Sequence, residues 1–211
     1  MTLASADGPC LAAARRAAAA TDVPYSVLVS IAQVETGRQI DGTVQPWPWA
    51  VNAGGTGHWF AAAQDALDFA QQTLAAGERS FDIGCFQLNY RWHGTQFTSL
   101  DQMMAPDANA LYAARFLSRL HAELGDWSAA AGAYHSRDSS RASQYRDRFD
   151  HFRAAAEGAS AGPNPAAGPP RLALAAPSPA SPVPRSDTFP LFRAGSARRS
   201  AGSLFPLDAG S

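Results

Sequence analysis

Apolar residues recur at the spacing of one helix face in several stretches of the chain. The clearest stretch is residues 24–38, PYSVLVSIAQVETGR. Four of its apolar side chains fall on one stripe of a helix: Val27, Leu28, Ile31 and Val34. Glu35 lies four residues after Ile31 and continues this stripe into the last turn. Gly37 follows at the position where helices commonly stop, so the pattern predicts a helix that ends with a carboxylate on its apolar face.

A carboxylate in that position is disfavoured in its charged form for two reasons. It faces an apolar interior, and it lies at the negative end of the helix dipole, which costs an anion roughly 0.3–1 kcal/mol. Both effects raise the pKa of the carboxyl, and a raised pKa suits a group that donates a proton near neutral pH. The pattern therefore favours Glu35 as a general acid, with a solvated glutamate at a frayed helix end as the alternative.

The same periodicity predicts further helices at residues 10–20, 61–76, 106–124, 127–134 and 141–156. Between residues 41 and 60 the pattern changes, because Pro46 and Pro48 forbid a helix interior. Trp49, Val51 and the Gly-Gly pair at 54–55 predict a short hairpin with that pair near its turn. These elements together predict a mainly α fold with a small β-hairpin insertion.

Three tryptophans lie close together around the predicted hairpin: Trp47, Trp49 and Trp59. One small hairpin cannot bury so much aromatic surface, so we expect some of these side chains to be exposed. Exposed aromatic faces commonly bind sugars or other ring-shaped ligands. The alternative is that all three cap the core.

Composition and charge exclude several classes of function. The chain has 211 residues and a net charge of −1, and its 17 basic residues, all arginine, form no basic block typical of nucleic-acid binding. It contains no run of about 18 apolar residues that could span a membrane. The first ten residues, MTLASADGPC, lack the basic and apolar regions of a signal peptide. They predict either a cytoplasmic protein or a form whose leader is missing.

The two cysteines, Cys10 and Cys85, have no cysteine or histidine at metal-ligand spacing. Neither a metal site nor a cofactor is therefore expected. The pair predicts either two buried thiols or one disulfide, and a disulfide would require an oxidising compartment.

The composition changes after Gly158, where ten of the 15 prolines lie between residues 163 and 206. Such a segment cannot bury enough apolar area to offset its ordering entropy, so we predict a folded domain at residues 1–157 and a disordered tail at 158–211. The domain carries −4 and the tail +3. The tail contains a near repeat, FPLFRAGS at 189–196 and FPLDAGS at 205–211. It is either chance or a pair of docking motifs, centred on Phe189 and Phe205, for a protein of an envelope machine.

Several blocks, in order, resemble the lytic transglycosylases of the soluble type, which share the goose-type lysozyme-like fold and cut the glycan strand of peptidoglycan. VPYSVLVSIAQVETGR is similar to the family's helix ending in Glu-Ser-Gly, with Thr36 where serine is usual. DIGCFQLN is similar to its Gly-Leu-Met-Gln-Ile block. PDANALYAARFLSRL is similar to its Pro-x-x-Asn block and the following helix, with Phe116 in place of tyrosine. WSAAAGAYHS resembles its Ala-Tyr-Asn-Ala-Gly block, with His135 and Ser136 replacing Asn-Ala.

The resemblance covers roughly residues 9–156 and includes the Trp-Pro-Trp-x-x-Asn-x-x-Gly block at 47–55, which is similar to an insertion in one branch of the family. It implies that Glu35 is the catalytic acid and that Tyr134 orients it by a hydrogen bond. It also implies a set of residues that line the saccharide groove: Gly84, Phe86, Gln87, Asn89, Trp47, Trp49, Trp59 and His135.

The resemblance further implies a reaction with one acid and no water nucleophile. Glu35 would protonate the glycosidic oxygen between N-acetylmuramic acid and N-acetylglucosamine, then assist attack by the muramoyl C6 hydroxyl on C1. The product would be a 1,6-anhydro end. Because this substrate lies outside the cytoplasm, the resemblance implies a periplasmic protein and a Cys10–Cys85 disulfide.

Two other functions stay open at this point. Most glycosidases use two carboxyl groups, and none of the other candidates, Asp41, Asp82 and Asp101, stands in a setting that demands this role. A hydrolytic muramidase on the same fold would use one of these aspartates to position water. A non-catalytic peptidoglycan-binding adaptor of an envelope-spanning assembly is the alternative from another class, although a binding module has no use for a buried acid.

Overall fold

The structure, a computed structural model, describes residues 8–160. The predicted tail with Phe189 and Phe205 lies outside the described residues, apart from its first three positions, 158–160. The described part is mainly helical with a small antiparallel sheet. Its helices are α1 Pro9–Ala19, α2 Tyr25–Thr36, α3 Ala63–Ala75, α4 Tyr90–His93, α5 Leu100–Met104, α6 Pro106–Leu124, α7 Trp127–His135 and α8 Ser139–Ser160. Its strands are β1 Gly37–Ile40, β2 Thr43–Pro46, β3 Ala50–Ala53, β4 Thr56–Trp59, β5 Phe81–Ile83 and β6 Leu88–Asn89.

The helices predicted from periodicity are confirmed, with small shifts at their ends. The short helices α4 and α5 were not predicted, because four or five residues are too few to show a helical period. Helix α8 continues to Ser160, beyond the predicted domain boundary at residue 157.

The β region holds two hairpins rather than the single one predicted. Strands β1 and β2 pair across a turn at Asp41–Gly42, and β3 and β4 pair across a turn at Gly54–Gly55. Both turns use two residues with positive φ, 49° and 79° in the first and 60° and 79° in the second. Paired positive φ values are typical of tight two-residue hairpins. Strands β3 and β4 join β5 and β6 in a four-stranded sheet of order β4-β3-β5-β6.

Helix α2 lies at the centre of the molecule and contacts α1, α8 and the first hairpin. Nine of its 12 residues are buried, including residues outside the stripe predicted from the sequence. A helix that is buried on most of its sides belongs in the interior of a domain. Glu35 and Thr36, in its last turn, are therefore carried into the core with the rest of the helix.

The Cys10–Cys85 disulfide is present, with 5.6 Å between the two Cα atoms. Both cysteines are fully buried, and the bond joins α1 to the segment between β5 and β6. The bridged residues are 75 positions apart. Closing so long a loop is worth roughly 4 kcal/mol in the chain-entropy model.

Two further findings concern residues 8–160 only. No helix in this range combines the length and the apolar character needed to cross a bilayer. Nor does the range bring three or more His, Cys, Asp or Glu side chains together in a group that could hold a metal ion.

Replacing Cys10 and Cys85 together by serine should lower the free energy of unfolding by roughly 4 kcal/mol, because the unfolded chain regains the entropy of the open loop. Urea unfolding followed by tryptophan fluorescence measures this change. Wild-type protein kept fully reduced is the control and should lose the same amount. An unfolding midpoint equal to that of the oxidised wild type would show that the bond contributes nothing to stability.

Candidate active site

Glu35 lies in the last turn of α2 and is only 7% exposed. The Tyr145 hydroxyl, from α8, donates a 2.8 Å hydrogen bond to its Oε1. The pKa of Glu35 is raised to about 8. Burial is the largest cause and the nearby negative charge of Asp82 adds to it, while the Tyr145 hydrogen bond and the positive charge of Arg148 oppose the rise. At neutral pH this carboxyl therefore holds its proton.

The predicted hydrogen bond from Tyr134 to Glu35 is wrong. The Tyr134 hydroxyl instead donates to the backbone carbonyl of Phe86 at 2.7 Å. Tyr134 is still close enough for the charge of Glu35 to raise its pKa, after the larger effect of burial. The role predicted for Tyr134 therefore belongs to Tyr145, which donates to Glu35. Tyr134 instead donates to the loop between β5 and β6, at Phe86.

Gly37, directly after Glu35 and Thr36, ends α2 as predicted, but not through a left-handed backbone. Its φ of −60° is available to any residue. A Cβ at this position, however, would lie 2.3 Å from the Gln33 carbonyl oxygen and 2.6 Å from Cγ1 of Val44. Glycine is therefore needed because strand β2 approaches the end of α2 closely.

The loop between β5 and β6, residues 84–87, is held rigidly behind the acid. Gly84 has a φ of +79°, and a Cβ there would lie 2.7 Å from Nδ2 of Asn109. The Asn109 side chain accepts from the Phe86 amide at 2.9 Å and donates to the carbonyls of Met103 and Ile83. The Thr36 hydroxyl contacts the Cys85 carbonyl oxygen at 3.1 Å. The loop is thus anchored to α2, α6 and, through the disulfide, α1.

Gly84 and Phe86, both predicted to line the groove, are buried. Phe86 is 0% exposed, and its ring belongs to the hydrophobic core. Both residues shape the loop. The Phe86 side chain has no exposed surface for a substrate, and a contact through Gly84 stays a prediction.

A row of three polar side chains crosses the sheet next to Glu35. Asn52, Asp82 and Asn89 occupy matching positions on the neighbouring strands β3, β5 and β6. Asp82 accepts from Nδ2 of Asn89 at 2.8 Å and from Nδ2 of Asn52 at 3.3 Å. Burial raises the pKa of Asp82 to about 6, against the effect of these two hydrogen bonds. The site therefore contains two carboxyls, and near neutral pH one is protonated and the other is ionised.

The amides of Gln87 and Asn89 are engaged within the protein. Gln87, with a φ of 44°, donates through Nε2 to the carbonyls of Gly84 and Ala50 at 3.0 and 3.2 Å. Asn89 donates to Asp82 and accepts from the amide of Arg91 at 3.1 Å. Both residues support the loop and the carboxylate, and their contact with a sugar stays a prediction.

The three tryptophans are each half-buried, so none has the fully exposed face that we expected of some of them. Trp47 donates its indole N–H to the Phe60 carbonyl at 2.8 Å, and the guanidinium of Arg38 lies 4.8 Å from its ring centre. Trp49 packs against the core. Trp59 pairs with Ala50 and, by the alternation of side chains along strands, shares the sheet face of Asn52.

His135 lies next to Tyr145, the residue that donates to Glu35. The two rings are stacked, with 4.7 Å between their centres. Burial lowers the pKa of His135 to about 4, and the positive charges of Arg148 and Arg141 lower it as well. The imidazole is therefore neutral at physiological pH and supports the tyrosine that holds Glu35.

Four residues of this site were not predicted in these roles: Tyr145, Asp82, Asn52 and Asn109. No feature of the sequence favours Asp82 over Asp41 or Asp101 as the second carboxyl of the site. Helical spacing could have drawn attention to Tyr145, which lies four residues before the buried Phe149 on α8. Nothing in the local sequence indicates that its hydroxyl reaches a residue 110 positions away.

Comparison with known proteins finds no relative of this chain. Neither the family models nor the curated proteins nor the solved structures contain a match to the chain. The chemistry of the site therefore has to be argued from its geometry.

The free energy of unfolding of Glu35→Gln should exceed that of the wild type by an amount that grows as pH rises. Between the ordinary pKa of about 4.5 and the folded value of about 8, the folded protein keeps a proton on Glu35 that the unfolded chain has released. The wild type loses stability through this window by up to about 1.4 kcal/mol per pH unit, whereas the glutamine variant lacks this contribution. Denaturant unfolding at several pH values measures the difference, with the exposed Glu78→Gln as control. A difference that stays constant from pH 5 to 8 would contradict a buried, protonated Glu35.

Tyr145→Phe should raise the pKa of Glu35 further, because it removes the hydrogen bond that favours the charged form. Tyr134→Phe is the matched control, since its hydroxyl bonds the Phe86 carbonyl and not the acid. NMR titration of carbon-13-labelled glutamate carboxyls reports the pKa directly. Equal shifts in the two variants would show that Tyr145 has no special relation to Glu35.

Proposed function

We propose that this chain is a peptidoglycan lytic transglycosylase of the soluble type, built on a lysozyme-like fold. In this proposal it cleaves the bond between N-acetylmuramic acid and N-acetylglucosamine and leaves a 1,6-anhydromuramoyl end. The observation that carries the proposal is the buried Glu35 with a pKa of about 8. A carboxyl that is protonated at neutral pH is suited to donate a proton to a leaving group.

The reaction needs only one group that acts first as an acid and then as a base. Glu35 donates its proton to the glycosidic oxygen as the bond from that oxygen to C1 breaks. The resulting carboxylate takes the proton of the muramoyl C6 hydroxyl, whose oxygen bonds to C1 and closes the anhydro ring. The acid is regenerated and no water is consumed.

The contacts of Glu35 suit both halves of this cycle. Burial favours the protonated form that begins the reaction, and the hydrogen bond from Tyr145 favours the charged form produced midway. Because these effects oppose each other, the free-energy gap between the two protonation states is smaller than burial alone would make it. A small gap favours a group that has to give up and regain the same proton.

The architecture of the described residues is compatible with the proposed fold. A central helix ends in the acid, and a small antiparallel sheet carries polar side chains next to it. Three half-buried tryptophans lie on or beside the hairpins, and the Trp47 backbone amide donates to the Thr36 carbonyl at 3.1 Å, so we expect these side chains to contact sugar rings.

Hydrolysis on the same site is the second candidate, and the position of Asp82 favours considering it. Asp82 is close enough to raise the pKa of Glu35, and its own pKa of about 6 leaves it ionised at neutral pH. A protonated and an ionised carboxyl in one site are the acid and base of a hydrolytic glycosidase. Asp82 would then activate a water molecule, and the product would carry a reducing end.

The proposed substrate places the protein in the periplasm. The Cys10–Cys85 disulfide is compatible with that compartment, because disulfides persist where the surroundings are oxidising. A partner protein that binds through Phe189 and Phe205 stays a prediction, since both residues lie outside the described part of the chain.

Glu35→Gln should abolish cleavage of purified sacculi, because glutamine cannot donate the proton. Mass spectrometry of the fragments released by the wild type should show 1,6-anhydromuramoyl ends, and reducing ends would indicate the hydrolytic candidate. The wild-type rate should fall as pH rises through about 8, where Glu35 loses its proton. Substantial turnover by the glutamine variant would overturn the proposal.

Asp82→Asn separates the two candidates further. For the transglycosylase we expect the variant to keep most of its activity, whereas for the hydrolase it should lose most of it. The pH profile of the wild-type hydrolase should also fall below about 6, where Asp82 takes up a proton. The exposed Asp101→Asn is the matched control and should resemble the wild type in either case.

A further inference from the structure

One face of α8 carries two arginines on either side of the tyrosine that holds the acid. Arg141, Tyr145 and Arg148 follow each other at spacings of four and three residues, so they lie along one side of the helix. The guanidinium carbon of Arg148 is 5.6 Å from the centre of the Tyr145 ring, whose hydroxyl is 2.8 Å from Glu35. Arg148 is half-buried and Arg141 is exposed.

The two arginines also share a neighbour on α7. His135 stacks on Tyr145, and the charges of both Arg148 and Arg141 act on it. The arginines therefore lie near one small region that contains the stacked rings of Tyr145 and His135. Glu35 adjoins this region through its hydrogen bond with Tyr145. Because His135 is neutral at physiological pH, it adds no positive charge of its own.

No carboxylate of residues 8–160 forms an ion pair with either arginine. Among residues 8–160, the side-chain ion pairs within 4 Å are Arg16–Asp107, Arg137–Glu123 and Arg153–Glu157. Asp138 is near Arg141 but accepts from its backbone amide at 3.0 Å, as a cap at the start of α8. Glu35 holds its proton at neutral pH and so supplies no negative charge. Arg148 thus lies near the reacting group, and neither arginine has a carboxylate partner within 4 Å among residues 8–160.

We propose that Arg141 and Arg148 form a carboxylate-binding subsite for the acidic branch of the muramoyl unit. This inference rests on the proposed function. The branch at O3 of N-acetylmuramic acid ends either in its own lactyl carboxylate or in a peptide that carries carboxylates. Guanidinium groups bind carboxylates with short, charge-assisted hydrogen bonds. The subsite would distinguish muramic-acid strands from uncharged chitin-like strands.

The experiment compares soluble glycan oligomers that differ only in the charge of the branch. One form keeps its carboxylates, and in the other they are converted to neutral methylamides. For the wild type we expect KM for the charged form to be roughly tenfold lower, the size expected for a charge-assisted contact. Oligomers stripped of peptide by an amidase retain only the lactyl carboxylate. Comparing them with intact oligomers identifies which carboxylate is bound.

Arg141→Gln and Arg148→Gln should each raise KM for the charged form by roughly threefold to tenfold and leave KM for the methylamide form unchanged. Arg115→Gln removes the same charge from an exposed position on α6 and serves as the matched control. Unfolding midpoints of all variants establish that they are folded. A KM increase of equal size for the charged and the methylamide forms would show that these arginines do not recognise the carboxylates of the branch.

Arg148 has a second measurable effect, which Arg141 does not share. Its charge lowers the pKa of Glu35, so Arg148→Gln should move the alkaline limb of kcat to higher pH. The KM effect should therefore appear in both variants, while the pH shift appears in Arg148→Gln alone. A merely structural role for Arg148 would not produce this separation.

Failure of the subsite and failure of the proposed function give different results. If the wild type cleaves charged and methylamide oligomers with equal KM, the subsite is wrong and the cleavage activity stands. If no oligomer is cleaved, the proposed function is wrong. Calorimetric binding of the two forms to the Glu35→Gln protein then decides the subsite by itself. Equal binding of both forms would overturn it.

Discussion

The burial of one carboxyl in its protonated form is the constraint on which the rest of this structure depends. Glu35 is carried into the core because nine of the 12 residues of α2 are buried and the helix occupies the centre of the molecule. Leaving the charged form there would cost far more than the fold can supply, so the group keeps its proton instead. Tyr145 offsets part of this bias with a hydrogen bond, and the result is a pKa near the physiological range.

The surroundings of Glu35 are built to resist relaxation. A buried acid would gain free energy if the loop behind it opened and admitted water. Residues 84–87 are held against this by the Asn109 side chain, by the Tyr134 hydroxyl and by the disulfide at Cys85. The Asn109 side chain makes all three of its hydrogen bonds with backbone groups. Its removal would therefore leave several buried polar atoms without partners. The loop therefore has a fixed shape next to the end of α2, where the Thr36 hydroxyl contacts the Cys85 carbonyl.

Local sequence predicted the parts of the site that depend on local patterns. The position of Glu35 on an apolar stripe and the raised pKa follow from spacing and dipole arguments within a single helix. The hydrogen-bond partner did not follow, because Tyr134 and Tyr145 lie on adjacent helices and only packing decides which hydroxyl meets the acid. The hairpin of β1 and β2 was not predicted, although Asp41–Gly42 is a typical turn pair, because the prolines and tryptophans of that region indicated only one hairpin, around Gly54–Gly55. Asp82 acquired its role from strand register, which places it between Asn52 and Asn89 and which no short window of sequence reveals.

The contact between Glu35 and Tyr145 also bears on the order in which the molecule assembles. It joins residues 110 positions apart, whereas the hairpins and the α6–α7 pair form from neighbouring segments. Loop closure over such a separation is entropically costly, so contacts of this kind form late unless others have already drawn the ends together. We therefore expect the hairpins and other contacts between neighbouring segments to form before Glu35 gains its hydrogen-bond donor. Folding intermediates that lack α8 would carry Glu35 without its hydrogen-bond donor and would not yet contain an assembled site.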